Sequence, residues 1–386
     1  MKSFNRVYLR PGREFSPASR LWVGCPSVQV TGKRVWACAF TGGKYEPSRK
    51  NHSVLMYSDD GGETWTDPYM AVTCDEENDC RGLDGNLWLD PKGRLWFTWE
   101  QARFEHGLPE SGFDHVDYEQ LMRFFDPDTT CWAMICEHPE ADEPVWSEPR
   151  YLFRGLLRNK PVALSNGAWM FCDYQAAARN PFYEYHLTFD EGKTFEVRRG
   201  PNRMRGDMCP FEEPMCVETE NGHLLFMVRT DTGFIAMSES FDFGETWSET
   251  RNTDMKNPSA RFFVLRLSSG KLLIVNTPRS RGRTGMRAFL SDDGKRWTHA
   301  LTLDTRRNVS YPDGCQDAEG YIWTVYDCQR DNRLEPVTWD ESRSFAAKEL
   351  VITRFREEDL LAGDFVTEGS VMPHWFCKAH YDMRKD

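Results

Sequence analysis

The sequence predicts an all-β fold, a six-bladed β-propeller made as one domain over residues 1–386, and three features carry that expectation. A short box recurs along the chain, strand-like runs joined by tight turns fill the intervals, and helical periodicity is scarce. The box first reads Ser58-Asp59-Asp60-Gly61-Gly62-Glu63-Thr64-Trp65, and returns as Thr188-Phe189-Asp190-Glu191-Gly192-Lys193-Thr194-Phe195 and Ser240-Phe241-Asp242-Phe243-Gly244-Glu245-Thr246-Trp247. A shortened copy comes next as Ser291-Asp292-Asp293-Gly294-Lys295-Arg296-Trp297. The last three copies lie about 50 residues apart, a period that suits propeller blades. Each carries the Asp and Gly that a tight hairpin requires, and its terminal aromatic can pack back on the hairpin. The boxes are therefore turns, and they speak to fold rather than to chemistry.

In chain order, strands are expected around Val23 to Phe40 and at Ser53-Val54-Leu55-Met56-Tyr57, which leads into the first box. Leu87-Trp88-Leu89 and Leu95-Trp96-Phe97 flank the turn Pro91-Lys92-Gly93-Arg94. About 130 residues separate the first two boxes, too many for one unit. Val145-Trp146-Ser147-Glu148-Pro149 fills that gap, since it matches Trp65-Thr66-Asp67-Pro68 and Trp247-Ser248-Glu249 at the ends of boxes. Further turns at Glu220-Asn221-Gly222-His223 and Ser268-Ser269-Gly270-Lys271 precede Leu224-Leu225-Phe226-Met227-Val228 and Leu272-Leu273-Ile274-Val275. Unit ends are thus expected at Trp65, Trp146, Phe195, Trp247 and Trp297. The runs from Tyr321 to Tyr326 and from Glu349 to Thr353, joined by the N-terminal strands, would make the sixth unit, so that both chain ends close the ring. Short helices are expected only from Asp117 to Phe125 and from Arg356 to Ala362.

Composition narrows the function. There are 48 Lys+Arg against 60 Asp+Glu, a formal charge of −12, which argues against nucleic acid or an anionic membrane as partner. No apolar run approaches the length of a spanning helix. The 14 Trp and 25 Phe are too many for a disordered chain and supply a core. The N-terminus lacks the apolar stretch of a secretory signal, and the 12 Cys show no zinc spacing, so buried thiols and a cytoplasmic location are expected unless a signal has been removed. A Cys74–Cys80 disulfide stays open beside that reading. No H-E-x-x-H, P-loop, dinucleotide fingerprint or nucleophile elbow occurs, and His374 with His380 lacks companions at zinc spacing, so neither a metal nor a cofactor is expected.

The boxes resemble the Asp-box repeats of the sialidase superfamily over nearly the whole chain. The resemblance implies a set of site residues. Glu213-Pro214-Met215-Cys216-Val217-Glu218, leading to Phe226-Met227-Val228-Arg229, nominates Glu213 as the family's base and Arg229 as a substrate-binding arginine. Ser310-Tyr311-Pro312-Asp313, with Val325-Tyr326-Asp327 after it, nominates Tyr311 as its nucleophile. Arg283, with Arg281 and Arg287 as rivals, fits a further arginine, and Asp84-Gly85-Asn86-Leu87-Trp88 is similar to a pocket-lining strand. The chain departs from the pattern twice. Gly24, in Val23-Gly24-Cys25-Pro26, stands where the first arginine of the triad belongs, and Thr41-Gly42-Gly43 holds no acid/base aspartate, Glu46 being the nearest carboxylate. Glycine does not replace a bidentate guanidinium, which weakens the case for sialic acid as substrate.

A phenol titrates near 10, so Tyr311 needs a neighbouring carboxylate to take its proton, and Glu213 would serve; a hydrogen-bonded core pair is the alternative. Asp84 is either a pocket acid that protonates the leaving oxygen or a turn-forming residue. His52 is either an acid/base in place of the missing aspartate or a loop histidine. Arg49 lies beside it as a candidate substrate cation, and Arg261 is a pocket cation or an inter-blade salt bridge. The expected function is an exo-acting glycoside hydrolase that removes a terminal acidic or polar sugar, its partner being a carbohydrate substrate. Two alternatives stand beside it: a polysaccharide lyase using Tyr and His on the same scaffold, and a non-catalytic glycan-binding propeller.

Overall fold

In the computed structural model, six antiparallel sheets are arranged as the blades of a propeller. It describes residues 3, 5–43, 50–74, 80–103, 129–174, 180–209, 211–328 and 349–379. From the inner strand outward, blade I holds Val23–Thr31, Arg34–Thr41, His52–Ser58 and Met70–Cys74, with Asn5–Leu9 added at its outer edge. Blade II holds Cys80–Leu89, Leu95–Arg103, Thr130–Cys136 and Arg150–Arg154, and blade III Val162–Ala163, Trp169–Phe171, Phe182–Thr188 and Glu196–Asn202. Blade IV holds Met215–Glu220, His223–Arg229, Phe234–Ser240 and Arg251–Lys256. Blade V holds Phe263–Arg266, Leu272–Asn276, Thr284–Ser291 and Thr298–Arg307, and blade VI Val309–Gln316, Ile322–Cys328, Glu349–Phe355 and Val371–Lys378. Among the described residues one α-helix occurs, Glu357–Ala362, within the span the sequence predicts. The helix expected from Asp117 to Phe125 lies outside the described residues. No helix among the described residues is long and apolar enough to cross a membrane. All twelve cysteines are buried and free, including Cys74 and Cys80.

Two expectations about the blades need correction. Each box lies between the third and fourth strands of its blade, so Trp65, Trp146, Phe195, Trp247 and Trp297 mark a common turn, and the blade ends one strand later. The strands around Val23 to Phe40 also do not complete the sixth unit; they are the inner half of blade I, and blade VI is built wholly from C-terminal strands. The misreading has a physical source. The box is the strongest local signal, but a fourth strand on the outer edge is half exposed and polar, as in Arg251–Lys256, and reads weakly as a strand.

Inside each box the hydrogen bonding repeats. The Gly62 N–H donates to Ser58 Oγ at 2.8 Å, and the Thr64 N–H donates to Asp60 Oδ1 at 2.9 Å. The corresponding bonds recur around Asp190 and Asp242. The Thr64 and Thr194 hydroxyls, followed by the backbone N–H groups of the same residues, hold the Asp60 and Asp190 carboxyls down at about 2. The box aromatic does more than cover its own turn, since it reaches the preceding blade: Trp65 meets Phe376, Trp146 meets Trp36, Phe195 meets Phe153 and Trp247 meets Tyr185. Those contacts place much of the aromatic content at the seams between blades.

The ring is tied at its centre by a polar hub. Asp313 of blade VI accepts from Ser27 Oγ (2.6 Å) and the Val28 N–H (3.1 Å) of blade I, and is bridged to Lys160 Nζ (3.0 Å) and Arg261 Nη2 (3.3 Å). Lys160 also donates to the Val28 and Leu87 carbonyls, reaching blades I and II. Asn159 accepts from Arg261 Nε and donates to the Glu213 and Pro214 carbonyls at the start of blade IV. Every blade is thereby engaged, by its inner strand or by the segment leading into it, and one buried carboxylate, Asp313, is shared by two cations whose other hydrogen bonds go to backbone carbonyls, Ser27 and Asn159.

Candidate functional site

One local irregularity recurs where inner strands enter the ring. Pairing with the second strand is interrupted between Gly24 and Ser27, between Leu83 and Asn86, and between Ser310 and Asp313. The skipped residues are Cys25-Pro26, Asp84-Gly85 and Tyr311-Pro312. Such bulges bend a strand and re-aim a side chain. Cys25, Glu213 and Tyr311, each preceding a proline, have φ of 48°, 42° and 55°. The left-handed region is uncommon for non-glycine residues and costs of order 1–3 kcal/mol, strain that concentrates at functional sites.

These turns bring Tyr311, Glu213, Arg229 and Arg283 together. Arg229 Nη1 donates to Glu213 Oε2 at 2.7 Å and to the Tyr311 hydroxyl at 3.3 Å, so one nitrogen bridges the phenol and the carboxylate. The Arg283 guanidinium lies 5.5 Å from the centre of the Tyr311 ring and donates to the Ser259 carbonyl. Its rivals Arg281 and Arg287 are exposed. Burial, and then the Glu213 charge, push the Tyr311 phenol above its ordinary value, against the pull of Arg229 and Arg283. Burial pulls on Arg229 in the opposite sense to Glu213 and Tyr311, which together hold it well above its usual value.

Sequence reasoning missed a further cation here. Arg158, in the segment leading into blade III, has its Nη1 in contact with Asp84 Oδ2, both side chains buried. Desolvation pulls the Arg158 guanidinium down, but the fields of Tyr174, Cys25, Glu213 and Tyr311 outweigh it and hold it above its ordinary value. Tyr174, Cys25 and Tyr311 share one buried cluster with Trp22 and Phe40. Gly24, in contrast, has no room for a side chain: a Cβ there would lie 2.5 Å from the Trp22 indole. Among the described residues, the cluster around Tyr311 therefore has three guanidiniums, Arg158, Arg229 and Arg283, with none from position 24.

The similarity to known proteins runs along the same lines. A model of the family described as BNR repeat-like domain matches residues 128–323, just over half of the chain, and one for the BNR/Asp-box repeat matches residues 56–67. The chain belongs to the family described as BNR repeat-like domain. No curated protein matches the chain. Among solved structures, the NanB sialidase of Streptococcus pneumoniae superposes with a TM-score of 0.60 at 16% identity, over 81% of this chain and 66% of that one. An intramolecular trans-sialidase of Ruminococcus gnavus gives 0.66 at 14% identity, over 91% of this chain and 97% of that one. A leech intramolecular trans-sialidase gives 0.65 at 14%, over 89% and 69%. At such identities the likeness is one of fold.

Of the remaining candidates, Arg261 and His52 have partners outside the Tyr311 cluster. Arg261 is 3% exposed and its Nε and Nη2 are engaged by Asn159 and Asp313, so of the two readings it is the inter-blade bridge rather than a substrate cation. His52 stands edge-on to Phe15 at 4.8 Å, with Nδ1 3.1 Å from the Lys50 carbonyl oxygen. Burial pushes its imidazole down to about 4, against that hydrogen bond and with help from Arg20, so it is neutral at pH 7. Its contacts are structural and none is with Tyr311, Glu213 or Asp84. Arg49 and Glu46 lie outside the described residues. Among the described residues, no three His, Cys, Asp or Glu side chains are grouped to hold a metal ion.

Proposed function

We propose that this propeller is an exo-acting glycoside hydrolase that removes a terminal sugar bearing an anionic group. The observation that carries the reading is the single Arg229 nitrogen shared by Tyr311 and Glu213, inside a pocket where Arg158 and Arg283 add two further positive charges. Neutral phenol is a poor nucleophile, and the raised Tyr311 argues against a resident phenolate at pH 7. Attack on the anomeric carbon is therefore coupled to transfer of the Tyr311 proton to Glu213, as the glycosidic C–O bond breaks. Water then displaces the phenolic oxygen from the sugar, giving one proton to the medium, and Glu213 returns its proton to Tyr311. The guanidiniums hold the sugar's anionic group, while the ionised acid and the approaching phenolic oxygen offset the positive charge that develops at the anomeric carbon.

Asp84 supplies the proton to the leaving oxygen. Its carboxylate is paired with Arg158; an incoming sugar carboxylate takes its place on the guanidinium, and a carboxylate beside a second anion favours its protonated form. His52 has no part in this step, which also removes support for a Tyr/His lyase.

The test is a screen of aryl sialosides, other nonulosonates, uronides and rhamnosides by product mass, and then variants assayed on the substrate found. Tyr311→Phe and Glu213→Ala are expected to lower kcat by about 1000-fold or more. Full activity in both variants would refute the assignment. Asp84→Asn is expected to spare substrates with acidic phenol leaving groups and to slow alkyl glycosides; equal loss on both classes removes Asp84 as the acid. An unsaturated product absorbing in the near ultraviolet would instead show a lyase, and binding without turnover would show a glycan-binding protein.

A further inference from the structure

Blade V carries a second feature beside the pocket. The loop joining its second and third strands runs Thr277-Pro278-Arg279-Ser280-Arg281-Gly282-Arg283, and Arg283 lies over the Tyr311 ring. The same loop borders a groove of about 390 Å³, lined by Lys256, Arg279, Arg281, Arg287 and Asp304 with neutral neighbours. That size is within the range of small-ligand sites.

The charge of this groove departs from the rest of the chain. The protein carries a formal charge of −12, yet the groove presents four cations, all exposed. Among the described residues none of the four is ion-paired. The groove's carboxylate is already satisfied: Asp304 accepts from the backbone N–H and guanidinium of Arg306 and from the Tyr326 hydroxyl. A concave surface of one sign focuses its field on a counter-charge. The Arg279 Nε bond to the Thr284 carbonyl fixes the loop, so the guanidiniums are partly ordered before any ligand arrives.

We infer that this groove is a subsite for the continuing chain of a carboxylated oligosaccharide whose terminal residue occupies the pocket. The inference rests on the hydrolase reading for the terminal residue, and it adds the substrate class: a polymer acidic at successive residues, not a single acidic cap on a neutral glycan. Arginine forks suit repeated carboxylates, and their exposure leaves the chain free to extend over the blade.

Equilibrium binding at 50 mM and 150 mM salt tests it, using α2,8-linked tetrasialic acid and tetragalacturonate, their monosaccharides, a dextran tetramer and a single-stranded DNA 20-mer. Wild type is expected to bind at least one acidic tetramer ten-fold or more tightly than its monosaccharide. Arg279→Gln/Arg281→Gln/Arg287→Gln should abolish that margin and flatten the salt dependence while leaving monosaccharide affinity and turnover of an aryl monoglycoside unchanged. The subsite is refuted if neither tetramer outbinds its monosaccharide, if the triple variant keeps the margin, or if DNA binds more tightly than both tetramers. Because the readout is binding, it separates from the chemistry: failure of the Tyr311→Phe test with a positive tetramer result leaves the subsite standing and removes only the hydrolase.

Discussion

At the scale of the residue, Gly24 leaves no room for a guanidinium, and Arg158 brings one within the field of Glu213 and Tyr311 from another part of the ring. Trp22 covers Gly24 so closely that an arginine at that position would require the indole to leave. Arg158 enters instead from the segment between blades II and III, held by Asp84. Replacing it with methionine should raise KM about ten-fold or more with kcat changed far less, because a ground-state contact to the substrate anion is lost. Arg158→Lys should recover only part, since an ammonium lacks the planar fork. A fall in kcat at constant KM would place Arg158 in the chemistry instead, and thermal melts of both variants separate binding loss from misfolding. Tyr311, Glu213 and Arg229 were nominated by motifs that the resemblance supplied, and Arg283 beside two rivals that turn out exposed; the fold brings these four together. Arg158 was not legible, because it precedes Asn159-Lys160-Pro161 in a connecting segment with no box or strand signal around it, and its partner Asp84 is far away in the chain.

At the scale of the element, blade VI replaces the box with a different device for the same turn. Between its third and fourth strands the chain forms the helix Glu357–Ala362, and Asp359 organises the loop from Gly363 to Ser370. Its carboxylate accepts from the Arg356, Val366 and Thr367 N–H groups at 2.7 to 2.8 Å and from Ser370 Oγ at 2.6 Å. Asp359→Ala would strand three backbone donors, and hydrogen bonds to charged groups contribute about 1.5–3 kcal/mol each without adding fully. A loss of about 3 kcal/mol or more is expected in urea unfolding, against little change for an exposed control such as Glu358→Ala. A loss under about 1 kcal/mol would show that the turn holds without its carboxylate. The short helix was legible from its periodicity. Its equivalence to a box was not, since one buried acid bonding across eleven residues of chain leaves no repeat to find.

At the scale of the whole molecule, the boxes and the Trp146 turn accounted for five blades and the C-terminal strand runs pointed to a sixth, while the way the ring closes was hidden. Closure depends on Ser27, Lys160, Arg261 and Asp313 meeting across the channel, and nothing in the local sequence of any of them announces the other three. Lys160→Met would leave Asp313 with Arg261 alone and would strand the Val28 and Leu87 carbonyls, losing several hydrogen bonds of a charged group at about 1.5–3 kcal/mol each without full additivity. The expected result is a fall of about 3 kcal/mol or more in unfolding free energy with no change in far-ultraviolet circular dichroism at 25 °C, since the blades themselves remain. Wild-type stability in that variant would show that the hub contributes nothing to closure.

The hub also bears on how the protein is made. A chain with only its first five blades in place lacks Asp313, the carboxylate that Lys160 and Arg261 share and to which Ser27 and Val28 of blade I donate. Asp313 enters with the inner strand of blade VI, so the seam between the first and last blades is closed by a side chain that the last-made blade supplies.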